Sequence, residues 1–474
     1  MRLHKWTLRG RSGTFTWGVL TGLAALIAAI ALPTEGIEVS IGHFWWIALG
    51  SIAVVGMLVA RSGLWSATGA YASVFWCFHF GLIAVLGSGL IAPHELQPWD
   101  QVWLLGPFGA DAAVVALIGV TAFAAGASLI NASAPAVDSQ TSPPDTNQGA
   151  HPFGPAGSVL VFAAIALWCG SVLMTTGPSG FYGAYGDYLN AIDQVGGFMG
   201  FVWLALGGGI VMSVTGTHGR LRTSAIAAFG CMALIALPIG LRGEIMFPTV
   251  AALVAARRCG WTLSPAKACA FLIGLLIVIP AVREIRNTGL QGLSDVALEL
   301  RTFDAFVEMG GSLHPVEKVV RWHAEGEPLD MGSSYWAPIE RAAARVLPGV
   351  ETSAAEDDMR IMNVLVTDRV GPIGFSPVAE AYRNFGAVGV VLVLGLLGAG
   401  LAAIDRVADR KVAVLAIAIF YVPLLTNVRN SFVSVPLQCG VGALFVAGIH
   451  VMRHVSAAIR CRAYARPAYV RSEI

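Results

Sequence analysis

The chain has 474 residues, 56% hydrophobic and 12% charged, with a mean hydropathy of +0.69. Soluble domains carry about 25% charged residues, so an ordinary soluble fold is excluded and an all-α, polytopic membrane helix bundle is expected. The formal net charge of +1 gives no reason to expect a nucleic-acid partner. The seven scattered cysteines, with no CxxC pair, read as packing residues rather than a disulfide or metal framework.

Arg2, Lys5, Arg9 and Arg11 precede the first apolar stretch, 15–32. That stretch is as long as a span, so an uncleaved first helix is expected rather than a signal peptide. Further stretches able to cross a bilayer fall near 41–60, 67–92, 108–130, 157–176, 196–215, 223–241, 267–283, 379–404, 412–427 and 432–452. A shorter one, 244–256, brings the total to about twelve.

The positive-inside rule tests this count. With the N-terminus in the cytoplasm, the basic loops at Arg61, Arg220/Arg222, Arg257/Arg258/Lys267 and Arg406/Arg410/Lys411, and the C-terminal tail, all fall on the cytoplasmic side. This works only if 244–256 counts as a span. The segment 223–256 then goes out and returns, and Arg242-Gly243-Glu244 is its outer turn.

Five regions follow. Residues 1–130 form an N-terminal transmembrane bundle. Residues 131–156, rich in Pro, Ser and small polar side chains, form a flexible cytoplasmic linker. Residues 157–283 are central transmembrane helices carrying the Arg-Gly-Glu turn. Residues 284–378 form one large extracytoplasmic loop. Residues 379–474 hold the last helices and a basic tail. Within the loop, Val296, Leu300, Phe303 and Val307 recur at helical spacing, so a small helical cap lying on the outer face is expected.

This topology gathers intramembrane charge at one depth. Arg242 and Glu244 sit at the outer turn. Arg283 and Arg286 end the 267–283 stretch. Glu380 and Arg383 open the following span, and Arg429 lies between the last two spans. Charges in such positions mark working sites by default, and a guanidinium fork matches phosphate oxygens. Single arginines at helix ends also snorkel and anchor, so convergence rather than any one residue carries the argument. An anionic lipid head such as a pyrophosphate is the expected guest.

Four segments resemble the bacterial oligosaccharide repeat-unit polymerases, the O-antigen polymerase (Wzy-type) family. They are LRGEI (241–245), EMGGSLHPV (308–316), GSSYWAPIERAAARVLP (332–348) and GFSPVAEAYRNFGAVGVVLVLGLLG (374–398). The arginine that often follows the family's "iP" proline is absent here, since Gly349 follows Pro348. The resemblance implies a multi-pass glycosyltransferase in the bacterial cytoplasmic membrane, its site facing outward. It would join polyprenyl-pyrophosphate-linked oligosaccharide units into a surface polysaccharide. The implied partners are the lipid-linked donor and acceptor and membrane lipid, with a chain-length regulator protein as a further candidate.

On this reading Arg242 and Arg286 hold the pyrophosphate, with Arg283, Arg383 and Arg429 as further candidates. Glu380 is the first candidate for general base and Glu244 the second. Tyr382 and Asn384, in the E-x-Y-x-N-F-G segment, are candidate substrate contacts. Cofactors are not implied, and arginines that carry the phosphate charge leave no need for a metal. Two alternatives use the same lipid-linked substrate: ligase-like transfer to a lipid or protein acceptor, and transport of the lipid-linked glycan.

Overall fold

The computed structural model describes residues 16–25, 27–28, 41–133, 153–193, 195, 197–216, 219–261, 303–344 and 354–464. Regular structure among them is entirely helical. The first part of the chain forms α1 (Thr16–Ala25), α2 (Ile41–Ser62), α3 (Ala67–Gly87), a short α4 (Pro98–Leu104) and α5 (Gly109–Ser133). Next come α6 (Gly154–Thr175), a short α7 (Tyr185–Asp193), α8 (Phe198–Val214), α9 (Arg220–Ile239) and α10 (Arg242–Arg258). Four short helices follow: α11 (Asp304–Gly310), α12 (His314–Ala324), α13 (Ser333–Ala344) and α14 (Met362–Arg369). Three long ones end the chain: α15 (Pro377–Arg406), α16 (Arg410–Asn427, with a π-helical turn at Ile417–Tyr421) and α17 (Val435–Tyr464).

Among the described residues, eight helical stretches are long and apolar enough to cross a membrane: α2, α3, α5, α6, α9, α15, α16 and the Phe432–Val451 stretch that runs into α17. The expected span at 267–283 lies outside the described residues, as does most of the 131–156 linker.

The bundle has two cores. The larger is built from α2, α3, α5, α12, α15 and α16, the smaller from α6, α7, α8 and α9. Helix α10 is the seam. Its Phe247, Ala251, Val254 and Ala255 enter the larger core, and its Ile245, Ala252 and Ala256 enter the smaller. A helix apolar on both sides is buried on both, and its first residue, Arg242, is therefore placed where the two halves meet.

The tightest interface joins α5 and α15, and small residues set it. A Cβ on Gly126 would lie 1.9 Å from the carbonyl of Gly395, and one on Gly398 would lie 2.0 Å from the carbonyl of Phe123. These glycines let the two backbones touch, as the small residues of 395–400 suggest. The small residues of 440–448 behave differently: Gly440 and Gly448 face open space, and Leu444 is 75% exposed.

Two corrections concern the turn before α10. The reversal is made by Gly240, at φ 101°, and Leu241. Arg242, Gly243 and Glu244 are instead the first residues of the helix, because Gly240 already supplies the left-handed cap that ends α9. A side chain on Gly243 would meet only Phe247 of its own helix, so this glycine permits no close approach of another segment.

Val296 and Leu300 of the expected loop helix lie outside the described residues, and its described part is α11 (Asp304–Gly310). The next helix is not placed as expected. Helix α12 does not rest on the surface. Val316 and Val319 are fully buried, as is the Glu317 side chain, and the helix packs on α4, α5 and α15. Its valines and Trp322 supply an apolar face, and burying that face drives the loop into the end of the bundle.

Candidate active site

At the end of the bundle that carries α11–α14, the expected site residues enter three charged networks. The first is an ion pair between Arg242 of α10 and Glu308 of α11. Both side chains are largely buried, at 12% and 13% exposure, where desolvation offsets much of the attraction and each charge depends on its partner. The pair ties LRGEI to EMGG, two of the four resembling segments. Glu244, expected at the same turn as Arg242, lies near α7. Burial pushes the Tyr188 phenol up, and the charge of Glu244 adds to that effect. Consecutive positions on a helix point about 100° apart, so residues 242 and 244 cannot face the same way.

The second network is centred on Glu380, which is 1% exposed. One carboxylate oxygen accepts from the Ser334 hydroxyl at 2.7 Å, and the other accepts from the Phe432 backbone N–H at 2.6 Å. The Asn384 amide donates to Ser334 Oγ and to the Glu380 carbonyl, both at 2.7 Å. One carboxylate thus holds together α15, α13 and the turn between α16 and α17. Tyr335 completes the site: its ring stacks on Phe385 and meets Phe432 edge-on. Burial, with the nearby Glu380 charge adding to it, pushes the Tyr335 phenol well up.

The third network holds the loop to α15. Arg383 donates to Glu327 at 2.8 Å and to Asp330 at 3.0 Å, and Arg369 donates to the other oxygen of Glu327. Burial raises the Glu327 carboxyl, but the two guanidinium bonds outweigh it and hold the group below the usual carboxylate range. Helix α15 breaks at Gly386 (φ 66°, ψ −162°), a conformation natural only to glycine. The break frees the carbonyls of Arg383 and Asn384, which accept from the N–H groups of Asp330 and Met331. The Asn384-Phe385-Gly386 sequence is therefore a loop-docking device.

The predicted site residues divide as follows. Glu380 and Asn384 share one network. Arg383 serves the loop contact. Tyr382 turns away, buried edge-on against His323. Arg429 is exposed, and its carbonyl accepts from Phe375 N–H at the start of α15. Arg283 and Arg286 lie outside the described residues. No group of three or more His, Cys, Asp or Glu suited to a metal occurs among the described residues. In the acidic run 356–358, Asp358 is bound by Arg360 and Arg341, and the Arg360 bonds hold its carboxyl low.

Four participants escaped the sequence reading: Glu308, Ser334, Glu327 and Asp330. Glu308 and Ser334 lie in two of the resembling segments, so a signal was present. Nothing local to Glu327 or Asp330 marks them, because their role depends on the carbonyls freed at Gly386. His314, a candidate proton carrier, is 2% exposed, stacked on Trp103 and edge-on to Trp99. Burial, aided by Lys318 and Arg321, pushes its pKa down to about 3.

The chain is 28% identical over 254 residues to Protein CapE of Staphylococcus aureus. That match covers 53% of this chain and 56% of CapE, so the chain spans about half the length of this relative. No solved structure matches the chain. Residues 157–449, more than half of the chain and inclusive of all four converging segments, match the family model described as O-antigen polysaccharide polymerase Wzy, and the chain belongs to that family.

Proposed function

We propose that this multi-pass membrane protein polymerises oligosaccharide repeat units carried on polyprenyl pyrophosphate, at the outer face of the bacterial cytoplasmic membrane. The observation that carries the reading is the pairing of the four segments. Arg242 meets Glu308, and Ser334 meets Glu380 and Asn384, all at one end of the bundle. Segments far apart in sequence are held at one level by buried charge, a costly arrangement that a site justifies.

Orientation follows from charge. Arg61, Arg220, Arg222, Arg257, Arg258, Arg406 and Arg410 lie at the opposite end of the bundle, which the positive-inside rule assigns to the cytoplasm. The site end is then external. Alternation of the described helices between the two ends, taken with the span expected from the sequence at 267–283, supports about twelve spans with both termini inside.

In the reaction, an acceptor hydroxyl attacks the anomeric carbon of the donor. The bond from that carbon to the pyrophosphate oxygen breaks, and its electron pair leaves with the pyrophosphate. Arg242, with Arg283 and Arg286, receives the charge that develops there, and exposed Arg429 meets the lipid head on entry. The hydroxyl proton passes to a carboxylate. Glu308, paired with Arg242, is our choice, with Glu244 second. Both oxygens of Glu380 are already engaged, which supports a positioning role over the base role suggested by its sequence context. Arg383, saturated by two carboxylates, is assigned to loop docking.

The test is to reconstitute the protein in vesicles with polyprenyl-pyrophosphate oligosaccharide, with and without EDTA. A ladder of lengthening glycans in both arms is expected. Single-unit transfer to another acceptor would replace polymerase with ligase. Donor crossing the bilayer unchanged would replace both with transport.

A further inference from the structure

Helix α13 presents an apolar side that no described residue covers. Trp336 is 60% exposed and Ile339 44%, three positions apart and hence on one side of the helix. Met331, just before the helix, is 75% exposed. The opposite side is fastened to the site: Ser334, Ala337 and Pro338 are buried, and Ser334 bonds Glu380. Polar groups gather toward the far end of the helix, where Glu340 pairs with Arg360 and Arg341 pairs with Asp358.

This apolar side adjoins the exposed faces of two helices that are apolar enough to cross a membrane. Helix α15 is long and apolar enough to cross the membrane, and its exposed Phe385, Val388, Leu392 and Leu396 form one stripe. At the top of that stripe Phe385 stacks on Tyr335, the neighbour of Trp336. Helix α13 also packs on α17, whose Leu444, Phe445 and Val451 are exposed. The lipid-facing stripes of two spans therefore lead up to one short amphipathic helix bearing an outward tryptophan. Such a helix suits the boundary between headgroups and acyl chains, where an indole is favoured.

We infer that the Trp336–Ile339 side of α13 is seated in the bilayer, against phospholipid at the headgroup–acyl boundary. The membrane then presses α13 onto α15 and α17 and keeps Ser334 on Glu380, so lipid helps to hold the site in shape. This inference rests on α15 and α17 being membrane spans and does not depend on the polymerase reading.

The experiment places a photoreactive benzophenone side chain at position 336, 339, 341 or 444 of the full chain. Each protein is irradiated in vesicles of phosphatidylethanolamine and phosphatidylglycerol, and adducts are identified by mass. Position 444, on the exposed face of α17, reports correct insertion. Phospholipid adducts at 336 and 339, with loss of adducts at 341, are expected. Lipid adducts at 444 but none at 336 and 339 would overturn the inference, as would cross-links from 336 to a second copy of this chain.

Discussion

The two ends of α15 use the same kinds of side chain for different work. At the C-terminal end, Asp405 accepts from the backbone N–H groups of Ala67 and Thr68, at 2.8 and 2.9 Å, and from the Thr68 hydroxyl at 2.7 Å. Arg406 donates to the carbonyls of Ile130 and Asn131, and Arg258 to those of Ile404 and Asp405. Here a carboxylate caps the start of α3 and guanidinium groups cap the ends of α5 and α15, which satisfies orphan backbone groups and opposes the helix dipoles. At the N-terminal end, by contrast, Glu380, Arg383 and Asn384 bond chiefly to side chains and turns from other segments. One end is a lock between helices, and the other is a frame that positions loops. The difference is that charge spent on helix ends buys stability, whereas charge spent on loops builds a site.

The sharpest separation of the two ends should come from Arg242→Ala. Removing a donor that meets developing charge is expected to lower polymer formation per folded molecule by roughly 10²–10³-fold, and stranding the Glu308 carboxylate also lowers the thermal midpoint. Glu380→Gln should damage both properties. An amide nitrogen facing either the Phe432 N–H or the Ser334 hydroxyl replaces an acceptor with a donor, at about 1–3 kcal/mol, and the loops it aligns shift. A lower thermal midpoint together with lower activity would agree; full stability with lost activity would return Glu380 to the role of base. Asp405→Ala should cost about 1–2 kcal/mol, as lost helix caps do, and leave activity per folded molecule unchanged.

The smallest expected effect concerns pH. His314 is neutral in the folded protein down to about pH 3, whereas the exposed group takes a proton below about 6.5. The unfolded state then binds more protons across that window, so stability falls as pH drops from about 6.5 toward 3. Glu327 acts in the same direction lower down: its depressed pKa contributes stability above the ordinary carboxylate range and loses it as pH falls through the folded value. A His314→Leu variant should flatten the upper part of that slope in a thermal scan against pH.

Much of the membrane architecture was legible because apolar runs and basic loops report directly on crossing segments. The span expected at 41–60 is helix 41–62, and that at 379–404 is helix 377–406. Convergence of charge at one end was legible for the same reason. Partner choice was not. Arg242 and Glu244 were expected at one turn, but the helix begins at Arg242 and carries the two residues to different sides. Its actual partner, Glu308, is brought by α11, whose docking on α3 has no local sequence signature. The role of Asn384 was hidden similarly, since it arises from the helix break two residues later and the loop captured there.

The most direct test compares Arg242→Ala with Asp405→Ala in the same vesicle assay, with glycan ladders scored per folded molecule. The account predicts that both variants lose stability, that the Arg242 variant makes no ladder per folded molecule, and that the Asp405 variant makes a normal one. A native ladder from the Arg242 variant, or equal loss of ladder in both, would contradict the assignment of the site to the Arg242 end.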